Sequence, residues 1–330
     1  MFFFFLGSEP KKKNTFSQRF FLLDISLHLL INFRKCTNFI APSEEFIFIT
    51  LNKDAMPTSI YPCLWFDGQA KEAATFYADA FGRSSILKEN PMVVLFEIEG
   101  KVMMALNGGP DFKMNPSISM MVHRLHADDC RKLWSKLSEG GKILMPLDKY
   151  DWSELYGWVQ DKYGFSWQIM ASNNENITPT LLFTGPHLGE ALEALKFYTS
   201  IFPGSAIDFE SYYPKESPYA GNLNYAAFHL NQYPMAAMDG PNDHNYTFSE
   251  GVSLVVNCEN QQEIDFFWQK FCNEGGAESM CGWCKDKFGV SWQVVPANMG
   301  DIIANPVNGK RAMQKLMGMK KIDIQALENA

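Results

Sequence analysis

Two matching stretches decide the fold of this 330-residue chain: YGWVQDKYGFSWQ at residues 156–168 and CGWCKDKFGVSWQ at residues 281–293. Eight of their thirteen positions are identical, at a constant offset of 125 residues. A looser echo lies upstream, where YPCLWFDG at 61–68 corresponds to TPTLLFTG at 178–185. Self-similarity of this kind indicates a structural unit that is repeated along the chain. The sequence therefore predicts two copies of one domain.

The repeats divide the chain into four parts. The two copies are predicted to span residues 56–173 and 174–298, and the polar run SNNEN around their junction has the composition of a linker. Residues 299–330 are predicted to form a helical tail. Residues 1–55 contain 11 of the 27 Phe residues and match neither copy, so we interpret Met56 as the true start of the protein.

Hydrophobic spacing within each copy indicates the same order of elements twice. In the first copy, a short apolar run at 62–66 precedes helical spacing over 70–81 and then three apolar runs bounded by turn residues. The cycle starts again at 118–122 and continues with a helix over 127–138. Each copy is therefore predicted to contain two βαβββ units, which makes four in the chain.

The composition is typical of a globular protein with ample core material, at 46% hydrophobic and 14% aromatic residues. The formal net charge of −8 offers no general attraction to phosphate backbones, so nucleic acid is not a predicted partner. Seven Cys in a chain of this length favour thiols in a reducing compartment, and we expect a cytoplasmic protein. The apolar stretch near the start is shorter than the roughly 20 residues of a membrane span. No membrane contact is predicted, and an anchor or cleaved signal is the alternative interpretation.

The run CLWFDGQAKEAA at 63–74 and the two endings of the form Asp-Lys-aromatic-Gly-X-Ser-Trp-Gln resemble the PhnB-like proteins. These belong to the vicinal oxygen chelate superfamily of glyoxalases, bleomycin resistance proteins and dioxygenases, and often carry the label 3-demethylubiquinone-9 3-methyltransferase. The resemblance implies an α+β fold of tandem glyoxalase-like domains, in which paired βαβββ units form curved mixed sheets around a cup. It also implies pairing of domains, either within the fused chain as a monomer or between chains as a homodimer.

In metal-using relatives, the resemblance places ligands on the first, fifth and last strands of the cup. The corresponding positions in this sequence are Tyr61, Thr178, Ser117, Gly251, Gln168 and Gln293. None is a His or an acid, which are the side chains that divalent cations favour there. No metal or other cofactor is therefore predicted. A metal-dependent glyoxalase- or dioxygenase-type lyase or oxidoreductase is the alternative, with ligands elsewhere.

Two further features of the sequence could indicate a chemical activity. Cys281-X-X-Cys284 lies where the first copy has a strand without cysteines. Residues three apart on a strand point to opposite faces, so a redox disulfide is not predicted there.

A methyltransferase would need a glycine-rich turn between a strand and a helix for S-adenosylmethionine. Neither 108–110 nor 275–276 has that setting, so the methyltransferase label is not taken as the function.

The remaining prediction is a metal-independent protein that binds a small aromatic or hydrophobic molecule, for example to sequester it. Pockets for such ligands are mostly apolar with a few placed polar groups. Catalytic residues are not assigned. The candidate pocket residues are Trp65, Trp158, Trp167, Gln168, His229, Trp283, Trp292 and Gln293.

Overall fold

The computed structural model describes residues 59–240, 244–273 and 275–330. Our interpretation of residues 1–55 lies outside them. In the described residues the two copies form four βαβββ modules, numbered I to IV. Module I comprises β1 (Ile60–Phe66), α1 (Ala70–Phe81), β2 (Ser84–Glu89), β3 (Val93–Ile98) and β4 (Lys101–Asn107). Module II comprises β5 (Ile118–Arg124), α2 (Ala127–Ser138), β6 (Lys142–Tyr150), β7 (Ser153–Gln160) and β8 (Ser166–Ala171).

The second copy repeats this order. Module III comprises β9 (Asn176–Phe183), the 3₁₀ turn Gly185–His187, α3 (Ala191–Ile201), β10 (Ala206–Tyr212), β11 (Leu223–Leu230) and β12 (Tyr233–Asp239). Module IV comprises β13 (Val252–Cys258), α4 (Gln261–Cys272), β14 (Ala277–Glu278), β15 (Trp283–Lys285) and β16 (Ser291–Pro296). The tail forms α5 (Met299–Ala304), α6 (Gly309–Leu316) and α7 (Ile324–Glu328).

The modules combine into two mixed sheets, and each sheet takes one module from each copy. Sheet I/IV has the order β14-β15-β16-β13-β1-β4-β3-β2, and sheet II/III has the order β10-β11-β12-β9-β5-β8-β7-β6. The copies meet where β1 pairs antiparallel with β13 and β5 pairs antiparallel with β9. The predicted α+β fold, in which paired βαβββ units form mixed sheets, is therefore confirmed.

The helices connect the modules differently from the sheets. In each copy, the helices pack between the two half-sheets of that copy, so they connect module I with module II and module III with module IV. Tyr77 on α1 of module I is fully buried and contacts both Phe96 of module I and Trp167 of module II. In the second copy, Tyr198 on α3 contacts Trp292 of module IV in the same way. The helices of each copy therefore pack against strands of that copy, whereas each sheet is shared between the two copies.

Two prolines occupy the central strands without loss of a ladder hydrogen bond. Pro62 on β1 and Pro179 on β9 stand at matching positions of the repeat. The parallel partner strand begins to pair only one residue later, at Cys63 and Thr180. Each proline therefore lies just before the parallel pairing begins, where no N–H donor is needed. A strand tolerates proline at such a position.

The tail packs where the second copy lacks part of a hairpin. Module IV has no counterpart of residues 148–154, which extend the β6–β7 hairpin in module II. In its place, the N–H groups of Cys281 and Gly282 donate to the carbonyl oxygens of Met319 and Lys320, at 2.7 and 2.8 Å. In the described part of the chain, no helix is long and apolar enough to cross a membrane.

A buried ion pair connects the two modules of the first copy. Arg124, at the end of β5, donates to both carboxylate oxygens of Glu99, at 2.8 and 3.2 Å. Glu99 lies in the β3–β4 turn, and the two side chains are only 8% and 11% exposed. The Arg124 guanidinium also lies over the ring of Phe81, 5.8 Å from its centre.

Loss of this arginine should be costly, because the Glu99 carboxylate would remain buried with the more distant and exposed Arg83, at 4.0 Å, as its cationic partner. We expect Arg124→Met to lower the free energy of unfolding by about 3 kcal/mol. The matched control is Lys149→Met, since Lys149 pairs with Glu154 at the exposed surface, where such pairs contribute less than about 1 kcal/mol. Urea denaturation of both variants measures the two values. Equal losses would contradict the structural role given to the buried pair.

Candidate functional site

Each sheet presents one face to the helices and a concave face away from them, which we call cup I/IV and cup II/III. On β1, the cup side chains alternate with those of the core and are Tyr61, Cys63 and Trp65. The ring centroids of Trp65 and Trp283 lie 5.6 Å apart, although β13 and β16 separate their strands. Three strand spacings in a flat sheet would place them roughly 14 Å apart. The sheet is therefore strongly curved.

The base of cup I/IV is a small cluster of neutral polar groups. Gln293 Nε2 on β16 donates to Ser253 Oγ on β13 over 3.0 Å. Cys63 lies opposite Ser253 across the β1–β13 pair. Burial raises the pKa of the Cys63 thiol to about 12, although the nearby Gln293 and Ser253 side chains oppose that rise. The thiol is therefore protonated at neutral pH.

An aromatic cover closes cup I/IV above this cluster. Trp65 Nε1 donates to the carbonyl oxygen of Gly109 over 2.7 Å, and its ring meets Phe112 and Trp283 edge to face. A Cβ atom on Gly108 would lie 2.2 Å from the Trp65 ring. The glycine after β4 is therefore needed for the indole to lie over the cup, so this glycine-rich turn serves packing.

The base of cup II/III uses the same residue types with a phenol added. Gln168 Nε2 on β8 donates to Ser119 Oγ on β5 over 2.9 Å, and the Tyr156 hydroxyl donates to Gln168 Oε1 over 2.6 Å. Burial raises the pKa of Tyr156, so the phenol remains a donor at neutral pH. The corresponding residue of the second copy is Cys281, whose thiol donates to the Leu316 carbonyl in the tail.

Aromatic rings and one unpaired donor form the wall of cup II/III. Tyr150 and Trp152, at the tip of the β6–β7 hairpin, stack on each other at 4.9 Å and lie 5.7 and 6.0 Å from the ring of Tyr156. Trp158 is only 8% exposed, and among the described residues its Nε1 has no hydrogen-bond partner. Such a donor costs about 1–3 kcal/mol. The cup therefore contains an N–H group that an acceptor would satisfy.

The aspartate of each repeated motif holds the turn that leads to the cup glutamine. Asp286 accepts hydrogen bonds from the backbone N–H groups of Phe288 and Val290, from Trp292 Nε1 and from the Tyr198 hydroxyl. Asp161 receives the corresponding backbone and Trp167 bonds, while the Tyr77 hydroxyl approaches it without reaching hydrogen-bond geometry. Because the tryptophan is thereby fixed in the core, the next residue on the strand faces the cup.

The lysine of the motif packs over aromatic rings outside the cups. Lys162 Nζ lies 4.8 Å from the ring centre of Phe76 and 5.1 Å from that of Tyr163, and these residues border a surface groove beside α1. Lys287 in the second copy lies over Phe288 at 5.0 Å. Cation–π contacts repeated in both copies indicate a packing role for the lysine.

The structure distributes the predicted pocket residues over three places. Those that lie on the cup faces are Trp65, Trp283 and Gln293 in cup I/IV and Trp158 and Gln168 in cup II/III. Trp167 and Trp292 instead lie fully buried in the helix-side core, because they alternate with the glutamines along their strands. His229 also lies on the cup face of sheet II/III, because its neighbours Phe228 and Leu230 are in the core, but it lies on β11, with β12, β9 and β5 between it and β8. Its Nδ1 is 2.9 Å from Asp208 Oδ2, in a half-exposed pair.

The positions expected on the fifth strands need correction by two residues. Ser117 and Gly251 precede β5 and β13, and their carbonyl oxygens accept backbone hydrogen bonds from Leu182 and Trp65. The hydroxyls that reach the cup glutamines belong instead to Ser119 and Ser253. The first-strand positions Tyr61 and Thr178 face the cups at their outer ends, where they bond to asparagine side chains.

The donors at the cup bases do not fit a divalent cation. They are amides, hydroxyls, a phenol and a protonated thiol, whereas divalent ions favour carboxylate, imidazole or thiolate ligands. In the part of the chain that the structure describes, no group of three or more His, Cys, Asp or Glu side chains could hold a metal.

Comparison with known proteins assigns the chain to a family. The family model of 3-demethylubiquinone-9 3-methyltransferase matches twice in tandem, over residues 58–170 and 175–295. The chain belongs to this family. The resemblance to PhnB-like proteins is thereby confirmed. No curated protein matches the chain in sequence.

Several solved structures are similar to parts of the chain. A PhnB protein from Bacillus cereus, described as a 3-demethylubiquinone-9 3-methyltransferase, is 30% identical, and the match covers 34% of this chain and 98% of that chain at a TM-score of 0.32. Glyoxalase I from Zea mays is 12% identical, and the match covers 71% of this chain and 92% of that chain at a TM-score of 0.48. A glyoxalase-related enzyme from Fulvimarina pelagi is 20% identical, with coverages of 35% and 94% and a TM-score of 0.27.

The turn-holding aspartate of this family motif gives the protein a distinctive pH dependence. Burial raises the pKa of Asp286 from 3.8 to about 6, although the hydrogen bonds that its carboxylate accepts lower the pKa in part. The native state therefore binds this proton more tightly than the unfolded chain, so the group stabilises the fold below its unfolded pKa and loses this effect as pH rises through about 6. Relative to Asp286→Asn, the natural chain should become more stable by about 1 kcal/mol when pH falls from 7 to 5.

Urea denaturation of both chains at the two pH values measures this difference, and contributions from other titrating groups cancel in the comparison. If the stability of the natural chain relative to Asp286→Asn stayed constant or decreased towards pH 5, the claim that burial raises the pKa of Asp286 would be wrong.

Proposed function

We propose that this chain is a metal-independent binding protein that holds a small aromatic or hydrophobic molecule in cup II/III. The observation that carries the proposal is the unpartnered Nε1 of the buried Trp158 within an aromatic wall. An apolar pocket with a few placed polar groups is the usual form of a small-molecule site. A planar ligand with a hydrogen-bond acceptor at its edge would match both the rings and the donor.

The energetics favour a ligand of this kind. An acceptor for the Trp158 N–H group would remove a desolvation cost of about 1–3 kcal/mol. Stacking against the rings of Tyr156 or Tyr150 would add about 0.5–1.5 kcal/mol beyond the area buried. Trp152 is 63% exposed at the hairpin tip, so the ligand would also cover an apolar surface that now faces water.

The rigid base of the cup supports binding without a metal. Tyr156, Gln168 and Ser119 already satisfy one another through two hydrogen bonds, so they would present a fixed polar floor. A metal-dependent glyoxalase- or dioxygenase-type lyase or oxidoreductase is the second candidate that the fold allows. It would require acidic or imidazole ligands, and the cup bases supply neutral amides and hydroxyls.

The family name does not by itself argue for methyl transfer by this chain. The glycines after β4 serve the Trp65 indole, as the close approach at Gly108 shows. Gly276, in the turn after α4, lies against the carbonyl oxygens of Phe271 and Lys285. Neither turn leads from a strand into a helix, which is the setting that S-adenosylmethionine usually requires.

We further propose that the protein acts as a monomer in the cytoplasm. The strand pairings between copies, β1 with β13 and β5 with β9, are made within one chain, so both cups are complete without a second subunit. The six cysteines that the structure describes are free thiols, which agrees with a reducing compartment. No nucleic acid is proposed as a partner, given the negative net charge.

The test is a thermal-shift screen of chelator-treated protein against planar aromatic compounds, each with and without a carbonyl or phenolate acceptor. A ligand that binds the folded chain raises the melting temperature, with about 2.7 kcal/mol of stabilisation at a hundredfold excess over Kd. We expect acceptor-bearing compounds to give the larger shifts. Trp158→Phe should weaken their binding by about tenfold through loss of one hydrogen bond.

Trp283→Phe is the matched control, because Trp283 occupies the corresponding position in cup I/IV. It should leave the affinity for the same compounds unchanged. A shift that required an added divalent cation, or one that Trp283→Phe abolished while Trp158→Phe did not, would contradict the proposed function.

A further inference from the structure

The internal repeat places different side chains at the same position of the two cups. Trp65 on β1 corresponds to Leu182 on β9 in the alignment of YPCLWFDG with TPTLLFTG. Trp283 on β15 corresponds to Trp158 on β7 in the longer repeat. In cup I/IV the two indole rings meet edge to face, with centroids 5.6 Å apart. In cup II/III the leucine and Trp158 belong to one apolar cluster, so a leucine takes the place of the first indole.

The Trp65 indole is held in cup I/IV in the way that a bound aromatic molecule would be. Its Nε1 donates to the carbonyl oxygen of Gly109 over 2.7 Å, and its ring meets Phe112 edge to face at 5.0 Å. Edge-to-face ring pairs of this kind contribute about 0.5–1.5 kcal/mol beyond the area that they bury. Cup I/IV is therefore filled by an aromatic side chain of the protein itself.

A glycine beside this position is present in both copies. Gly108 after β4 and Gly240 after β12 each donate an N–H to the carbonyl oxygen of a phenylalanine on the central strand, at 3.0 and 2.8 Å. A Cβ atom on Gly108 would clash with the Trp65 ring, and one on Gly240 would lie 2.7 Å from Leu182 Cδ1. The second copy therefore keeps the glycine that an indole needs, although its sequence has a leucine at that position.

Adaptable side chains border the apolar cluster of cup II/III. Met170, Met238 and Tyr246 are partly exposed and pack against it. The two methionines correspond to Val295 and Leu106 in cup I/IV. Methionine is unbranched and has three rotatable bonds, so it changes shape more readily than a branched residue. The wall of cup II/III is therefore suited to accommodate a ring that the chain does not supply.

We propose that cup II/III binds a bicyclic aromatic molecule of the size of indole, in the place that the Trp65 side chain takes in cup I/IV. This inference rests on the proposed function and adds to it the size of the ring and the number of sites. The molecule would pack against Trp158 and accept a hydrogen bond from its Nε1, which has no partner among the described residues. Because Trp65 already fills cup I/IV, each chain has one such site.

The experiment measures the binding of quinoline and of pyridine to the full-length chain by equilibrium dialysis. Both molecules carry one ring nitrogen as an acceptor, but only quinoline has the second ring. We expect one quinoline site per chain. Pyridine should bind at least about tenfold more weakly, because it fills less of the place of an indole and buries less apolar surface.

Two variants exchange the residues between the cups. Leu182→Trp places an indole in cup II/III beside Gly240 and should abolish the binding of quinoline. Trp65→Leu removes the indole from cup I/IV and should add a second quinoline site per chain. Leu125→Trp is the matched control, because it adds the same ring at a half-exposed position after β5, and it should leave the single site unchanged.

The outcomes separate this inference from the proposed function. Two quinoline sites in the natural chain, unchanged binding in folded Leu182→Trp, or binding of single-ring compounds alone would overturn the inference while the proposed function stands. Failure of every aromatic compound to bind the natural chain would overturn both. If Trp65→Leu folds poorly, the site count of the natural chain and the loss in Leu182→Trp still decide the result.

Discussion

The antiparallel pairing of β1 with β13 and of β5 with β9 is the interaction on which the rest of the structure depends. Through it, each cup takes one wall from each copy, while the helices of each copy pack against strands of that same copy. Without these two ladders, the central strands of both sheets would be open edges, which proteins normally avoid. The repeated sequence is therefore more than a duplication, since neither copy encloses a cup by itself.

Much of this fold could be predicted from the sequence because its repeats carry local signals. The Asp-to-Gln motif predicted two copies, and helical and alternating spacing predicted four βαβββ units, which the structure confirms. What local spacing could not show is that modules from different copies share a sheet. That arrangement follows from contacts about 190 residues apart, such as Tyr61 opposite Val255, and a single sequence contains no local pattern for them.

The candidate site was predictable in part. Both cup glutamines followed from the motif, but the tryptophans beside them, Trp167 and Trp292, alternate into the core. Cys63 and Tyr156 were missed, although period-two alternation from Tyr61 and the first letter of the repeated motif pointed to them. The serines were misplaced by two residues because the start of a strand after a loop is set by pairing partners. The two cups differ because the hairpin at 148–154 lies beside cup II/III, whereas the C-terminal tail takes its place beside cup I/IV.

We propose that the cups present neutral donors and aromatic rings to an organic ligand, with no ion held at their bases. The most direct measurement is a crystal structure of the chain grown with manganese or zinc, with diffraction data collected at the absorption edge of the metal. We expect no anomalous peak within bonding distance of Gln168 or Gln293. A peak there, with Ser119 or Cys63 completing its ligand shell, would contradict it.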